Sequence, residues 1–141
     1  MSRLALPNGD DHPEAAHKHL LDAGVLLARR RPDGAAYLSG YVVECVLKSL
    51  YVLEMESALR GHDLGSLVKQ ISALATVAGA KTARYFGSAT RRVPTSAIGS
   101  WTPEMRYRAP SLALGDAESW HACAHDVYQE TIHQMRLDGV L

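Results

Sequence analysis

This 141-residue sequence predicts an all-α fold, an up-and-down bundle of four to five helices. Three observations carry that expectation. From Pro32 to Leu59 runs one long, almost entirely apolar segment whose few polar residues fall in helical register. On either side lie stretches with apolar residues at helical spacing, each opened by a good capping residue. Nowhere do apolar and polar residues alternate over a strand's length, and no internal repeat or low-complexity tract interrupts the chain.

The first helix is expected to begin near Asp11 or His12, with Pro13 at an early helical position. It continues through Ala16, Leu20, Ala23, Val25, Leu26 and Leu27 to the basic run Arg29-Arg30-Arg31. Residues 1–11 hold one arginine and no apolar run, so they are expected to be flexible and to carry no secretory signal. Pro32-Asp33-Gly34 reads as a turn by composition.

The central helix follows and is expected to fray near Leu59 to Gly61. Most of its circumference is Leu38, Val42, Val43, Cys45, Val46, Leu47, Leu50, Val52 and Leu53, as in a helix surrounded by others. Its polar residues Tyr37, Tyr41, Glu44, Lys48 and Tyr51 step by 4, 3, 4 and 3 and therefore form a single stripe. A charged pair inside such a helix requires partners from elsewhere in the fold.

His62-Asp63 then precedes Leu64, Leu67, Val68, Ile71, Leu74 and Ala75, a third helix behind an N-cap aspartate and closed by Gly79. A short helical piece is expected over Lys81 to Phe86. Residues 87–115, rich in Gly, Ser and Thr with three prolines, read as a long loop. Trp101, Met105 and Tyr107 argue that this loop packs on something rather than being disordered. The last helix is expected from Asp116 to Leu137, with Ala117, Trp120, Ala124, Val127, Tyr128, Thr131 and Met135 on its core face.

Composition bounds the function. Hydrophobic residues at 47% and charged residues at 21% fit one globular domain able to bury its own core, spanning residues 1–141. The formal net charge of zero argues against a nucleic-acid binder that uses its whole surface. Charge is nevertheless uneven: Lys81, Arg84, Arg91, Arg92, Arg106 and Arg108 face only Glu104 between 81 and 108, and residues 109–141 are mainly acidic. Such runs read first as solvated charge and second as local surfaces for an anion. The two cysteines, Cys45 and Cys123, lie in expected helices without metal-type spacing, which fits buried, reduced thiols in a cytoplasmic protein. No stretch is expected to span a membrane, and no cofactor motif or Gly-rich phosphate loop is present.

The central-helix sequence Ala35-Ala36-Tyr37-Leu38-Ser39-Gly40-Tyr41-Val42-Val43-Glu44-Cys45-Val46-Leu47-Lys48, followed by His62-Asp63-Leu64, resembles the HEPN family (higher eukaryotes and prokaryotes nucleotide-binding domains). Trp101-Thr102-Pro103-Glu104-Met105-Arg106-Tyr107, ahead of a long final helix, is similar to that family's arginine-tyrosine element. The resemblance covers the chain from about His17 to Met135. It implies a homodimeric bundle, here paired through the central and final helices. It also implies a role among RNases of toxin–antitoxin and antiviral systems, partners of minimal nucleotidyltransferases, or binders of RNA or nucleotide. The family's RNase motif is an arginine, about four to six residues, then a histidine, and no arginine from Arg3 to Arg136 has a histidine at that distance. The expectation is therefore a noncatalytic domain. An RNase with a rearranged site, and a purely structural dimer module, are the alternatives.

The sharpest candidate cluster is Tyr37, Tyr41, Glu44, Lys48, Arg106 and Tyr107. Glu44 and Lys48 form an i, i+4 pair in the favourable order, and Arg106 is expected to bridge to Glu44 from the long loop. The cluster reads either as a polar pocket with tyrosine walls for a base, or as an internal network that fixes the loop. His62-Asp63 reads first as a helix cap. A rearranged RNase site would take Arg106 or Arg108 for phosphate and His62 or His121 as acid/base, working without a metal. His121 and His125 have chelating spacing but make a poor metal site as a pair; no metal is expected, and His133 faces solvent.

Overall fold

The carboxylate of Asp11 accepts from the Glu14 amide at 3.3 Å and caps α1, His12–Ala28, with Pro13 in its first turn. In the computed structural model, which describes residues 1–141, a three-residue corner leads from α1 straight into α2, Pro32–Met55. Pro32 and Asp33 are thus the first residues of the helix rather than a turn. Proline suits that position because its missing amide would have had no helical partner. So short a connection makes α1 and α2 an αα-hairpin.

The chain is about 70% helical, without strands, and its five helices pack as an all-α bundle. α2 is the hub. Fifteen of its 24 residues are buried, and α1, α3 and α5 all lie against it. By length and composition α2 is apolar enough to cross a membrane, contrary to the expectation from sequence, but 78% of its most apolar stretch is covered by the other helices. It stops at Met55, four residues before Leu59, because Glu56 turns left-handed (φ 52°).

Asp63 caps α3, Leu64–Ala75, by accepting from the Ser66 amide at 2.7 Å. Leu64, Leu67, Val68 and Ile71 form its buried face, and Gly79 (φ 79°) lets the chain reverse beyond it. Lys81–Arg84 is a 3-10 turn.

Residues 87–115 are not an open loop. They hold the short α4, Ser88–Arg92, and three 3-10 turns, Val93–Thr95, Ala97–Ser100 and Pro103–Tyr107. Val93, Ile98, Trp101 and Pro103 are buried and hold the segment to the bundle. Met105 packs against the core as expected, whereas Tyr107 is 76% exposed.

The last helix is divided. α5, Leu114–Tyr128, runs through a π turn, Gln129–His133, into α6, Gln134–Leu137. Every expected core-face residue of this helix is buried, and Ile132 joins them. The π turn sits where polar ties to the 85–89 segment replace helical regularity: Glu130 accepts from the Ala89 amide at 3.0 Å and Thr131 Oγ1 donates to the Tyr85 carbonyl at 2.9 Å.

Residues 1–11 are likewise tied down. Ser2 donates through its amide (2.6 Å) and hydroxyl (2.7 Å) to Asp11, Arg3 donates to the Gly139 carbonyl at 2.9 Å, and Leu4 packs on the core.

One glycine decides how the 87–115 segment docks. A Cβ on Gly40, in the middle of α2, would fall inside the Trp101 ring. Its absence lets the indole come up against the helix at Gly40, 1% exposed, with Nε1 donating to the Tyr37 carbonyl at 2.9 Å. Gly40→Ala should therefore expel Trp101. The expected cost is about 2–4 kcal/mol from overpacking plus the lost hydrogen bond, read as a lower urea midpoint and a red-shifted tryptophan emission. An unchanged midpoint and spectrum would show that this docking is not what holds the segment.

Candidate functional site

Five residues of α2 meet the outside of the bundle along one line, and the structure keeps them there as the stripe predicts. Tyr37, Tyr41 and Tyr51 are half-buried, and Glu44 and Lys48 are buried. The Tyr37 and Tyr41 hydroxyls lie 3.4 Å apart with their rings edge-on. Tyr41 is also edge-on to Trp101, 4.8 Å between centroids, and His19 of α1 lies against its other side. Burial, followed by the shared hydroxyl contact with Tyr37, pushes the Tyr41 phenol up to about 12.

Below the tyrosines sits the charged pair. Lys48 Nζ donates to Glu44 Oε1 at 2.7 Å, and the two side chains are only 11% and 5% exposed. The second partner of Glu44 is His62, whose Nδ1 lies 3.0 Å from both carboxylate oxygens. Arg106 does not bridge to Glu44, contrary to the sequence expectation. The Pro103–Tyr107 turn instead carries its guanidinium over the Tyr107 ring at 4.8 Å. The Tyr107 hydroxyl, and then that of Tyr37, hold the Arg106 guanidinium above its ordinary range. The amide of Glu104 and then the Thr102 hydroxyl hold its carboxyl below the usual range, with a smaller contribution from Arg106.

The arrangement is thus layered. A buried Glu44–Lys48 pair anchors the 57%-exposed His62, and above it an exposed guanidinium is stacked on an exposed phenol. Nδ1 of His62 is occupied by Glu44, while Nε2 has no partner in the protein. None of the main cavities is lined by Tyr37, Tyr41, Glu44, Lys48, Arg106 or Tyr107, so the cluster is an open face rather than a pocket.

The remaining candidates lie elsewhere. Arg108 borders a small cavity with Asp33 and Trp120. His121 and His125 line a groove between α1 and α5 with His17, where His121 packs near Gly24; it is not brought to Arg106 or Arg108. Burial lowers the His121 pKa, partly offset by the Leu20 carbonyl. No three histidine, cysteine or carboxylate side chains are grouped to hold a metal ion. His133 is exposed. Cys45 is buried, which pushes its thiol up to about 12, and Cys123 is half-buried; neither forms a disulfide. The capping by Asp63 is as expected, but the bond from His62 to Glu44 is not visible in the sequence. Gly40 was the one signal for the docking of Trp101, since an isolated glycine inside an apolar helix usually marks a close approach.

No family model, no curated protein and no solved structure matches this chain.

Two predictions follow from the cluster's burial. Glu44→Ala leaves the Lys48 ammonium buried without its counter-charge and should cost about 3–5 kcal/mol in chemical denaturation. The double replacement Glu44→Leu, Lys48→Met should cost about 1 kcal/mol or less. Equal losses in both variants would mean that packing, not charge pairing, holds the site. Tyr41 gives an alkaline signature. Its folded pKa, about 12, lies above the ordinary value of 10.0, so its contribution is fully present below pH 10 and lost as pH rises towards 12. Tyr41→Phe should remove that part of the alkaline destabilisation, and a phenolate titration by absorbance should lose its latest step.

Proposed function

We propose that this chain is a noncatalytic, HEPN-like helical module that binds RNA, with a single strand lying across the face formed by Tyr37, Arg106, Tyr107 and His62. The observation that carries the reading is Arg106. No carboxylate lies within ion-pair distance of it, and its guanidinium is held over a largely exposed tyrosine ring. A cation for phosphate beside a π-face for a base is the pairing with which proteins hold single strands without reading sequence. The openness of the face suits a polymer better than a free mononucleotide, which normally sits in a concave site. The missing arginine–histidine spacing speaks against hydrolysis by the family's usual route. With Arg106 as the arginine on this face, few phosphate contacts and so a shallow dependence of binding on salt are expected. A homodimer and a minimal nucleotidyltransferase as partner belong to the same proposal. However, α2, expected from sequence to pair the copies together with the final helix, is covered by the chain's own segments, which leaves the final helix for that role.

A second reading is supported by His62. Its Nδ1 is fixed on a buried carboxylate, its Nε2 is free, and Arg106 stands on the Pro103–Tyr107 turn that packs on the same helix as that carboxylate. An imidazole held this way could act as acid or base, and Arg106 as the cation for phosphate, in metal-independent cleavage of RNA.

One experiment weighs the two: binding and cleavage of a labelled single-stranded RNA in the presence of EDTA, by wild type, Arg106→Ala and His62→Ala. The binding reading expects no cleavage, and an affinity reduced about tenfold in Arg106→Ala. Metal-independent cleavage abolished in His62→Ala would replace it with the second reading. A well-folded protein that neither binds nor cleaves RNA would leave a protein partner as the occupant of this face.

A further inference from the structure

A cavity-forming region lies away from the tyrosine stripe. It is a cleft of about 690 Å³ between the α1–α2 corner and residues 110–112, within the usual range for small-ligand sites. Arg30 and Arg31 line it, Leu26 and Leu112 supply apolar wall, and Ser111 stands opposite the corner with no hydrogen bond to its hydroxyl.

The corner itself is unusual. The Arg30 amide donates to the Leu27 carbonyl (3.0 Å) and the Arg31 amide to the Leu26 carbonyl (2.9 Å), the pattern of a Schellman helix end. In that motif Arg30 occupies the left-handed position, at φ 58°, where glycine is the unstrained choice. An arginine there gives up stability that glycine would keep, and places a guanidinium at the mouth of the cleft. Strain of this kind, at a cavity, is a pointer to use.

The charges in the cleft favour an anion. The one carboxylate in the lining, Asp33, already accepts from the Ser111 amide (2.9 Å) and the Leu112 amide (3.2 Å) through Oδ1. Its role is to hold the 110–112 segment onto the start of α2, and it offsets only one of the two guanidinium charges. Two arginines and a hydroxyl bordering one cleft suit a tetrahedral oxyanion, and the leucines suit an apolar body attached to it.

We propose that this cleft is a binding site for a small phosphomonoester, its phosphate held by Arg30, Arg31 and Ser111 and its organic part packed on Leu26 and Leu112. The site shares no residue with the Arg106 face, and its success or failure is independent of RNA binding there.

Amide chemical-shift titrations with phenyl phosphate, inorganic phosphate and phenol test it. Phenyl phosphate should produce saturable shifts centred on Arg30, Arg31, Ser111 and Leu112, with weaker binding of inorganic phosphate and none of phenol. Arg30→Gly should fold with a melting temperature no lower than wild type, since it relieves the left-handed strain, yet bind phenyl phosphate about tenfold more weakly or worse. Arg31→Gln should lose affinity to a similar degree. No saturable shift at Arg30, Arg31, Ser111 and Leu112, equal response there to phenol, or undiminished affinity at these residues in both arginine variants would each overturn the proposal.

Discussion

A helix that is apolar nearly all the way round must be covered nearly all the way round, and this requirement on α2 organises the molecule. Leaving it open would expose a row of Val and Leu side chains, each worth about 1.5–3 kcal/mol when buried. α1, α3 and α5 take three sides of the hub. The fourth is closed by a segment with no long helix of its own, and Trp101 is the piece that reaches the backbone, through the gap at Gly40. The glycine costs about 0.5–1 kcal/mol of helix stability. In exchange the indole is almost fully buried with its N–H satisfied, a larger gain.

The same crowding around α2 explains the polar cluster. Glu44 and Lys48 lie where covering segments meet, so their pair is shut off from solvent on most sides, and a lone charge there would be severely penalised. The i, i+4 bond satisfies Lys48. The remaining acceptor capacity of Glu44 is met by His62, which is on the link between α2 and α3. A buried charge thus fixes the orientation of an exposed imidazole. Arg106 and Tyr107 have no such buried partner, and they meet one another and the Tyr37 hydroxyl at the surface.

Two helix ends in left-handed geometry, at Arg30 and Glu56, mark where this economy is relaxed. Both positions commonly belong to glycine. Glu56 ends α2 near solvent beyond the core. Glu56 also borders a cleft, of about 310 Å³, with Lys81 beside it, whereas Arg30 borders one of about 690 Å³ beside a second arginine, so the two ends differ in the charge they bring to the cleft.

The sequence by itself determined the helix inventory, most of the buried faces and the alignment of the polar stripe. These depend on local periodicity and capping: Asp11 and Asp63 cap as their positions imply, and the face from Ala117 to Met135 is buried as spaced. Tertiary structure alone decided what the stripe touches. His62 rather than Arg106 meets Glu44, Tyr107 points outward, and the glycine-rich 87–115 segment winds into short turns pinned by Val93, Ile98 and Trp101. The physical reason is range. Helical register is set within about four residues, whereas the partner of a buried carboxylate is chosen by which donor the packing brings near, and Glu44 found its own 18 residues away.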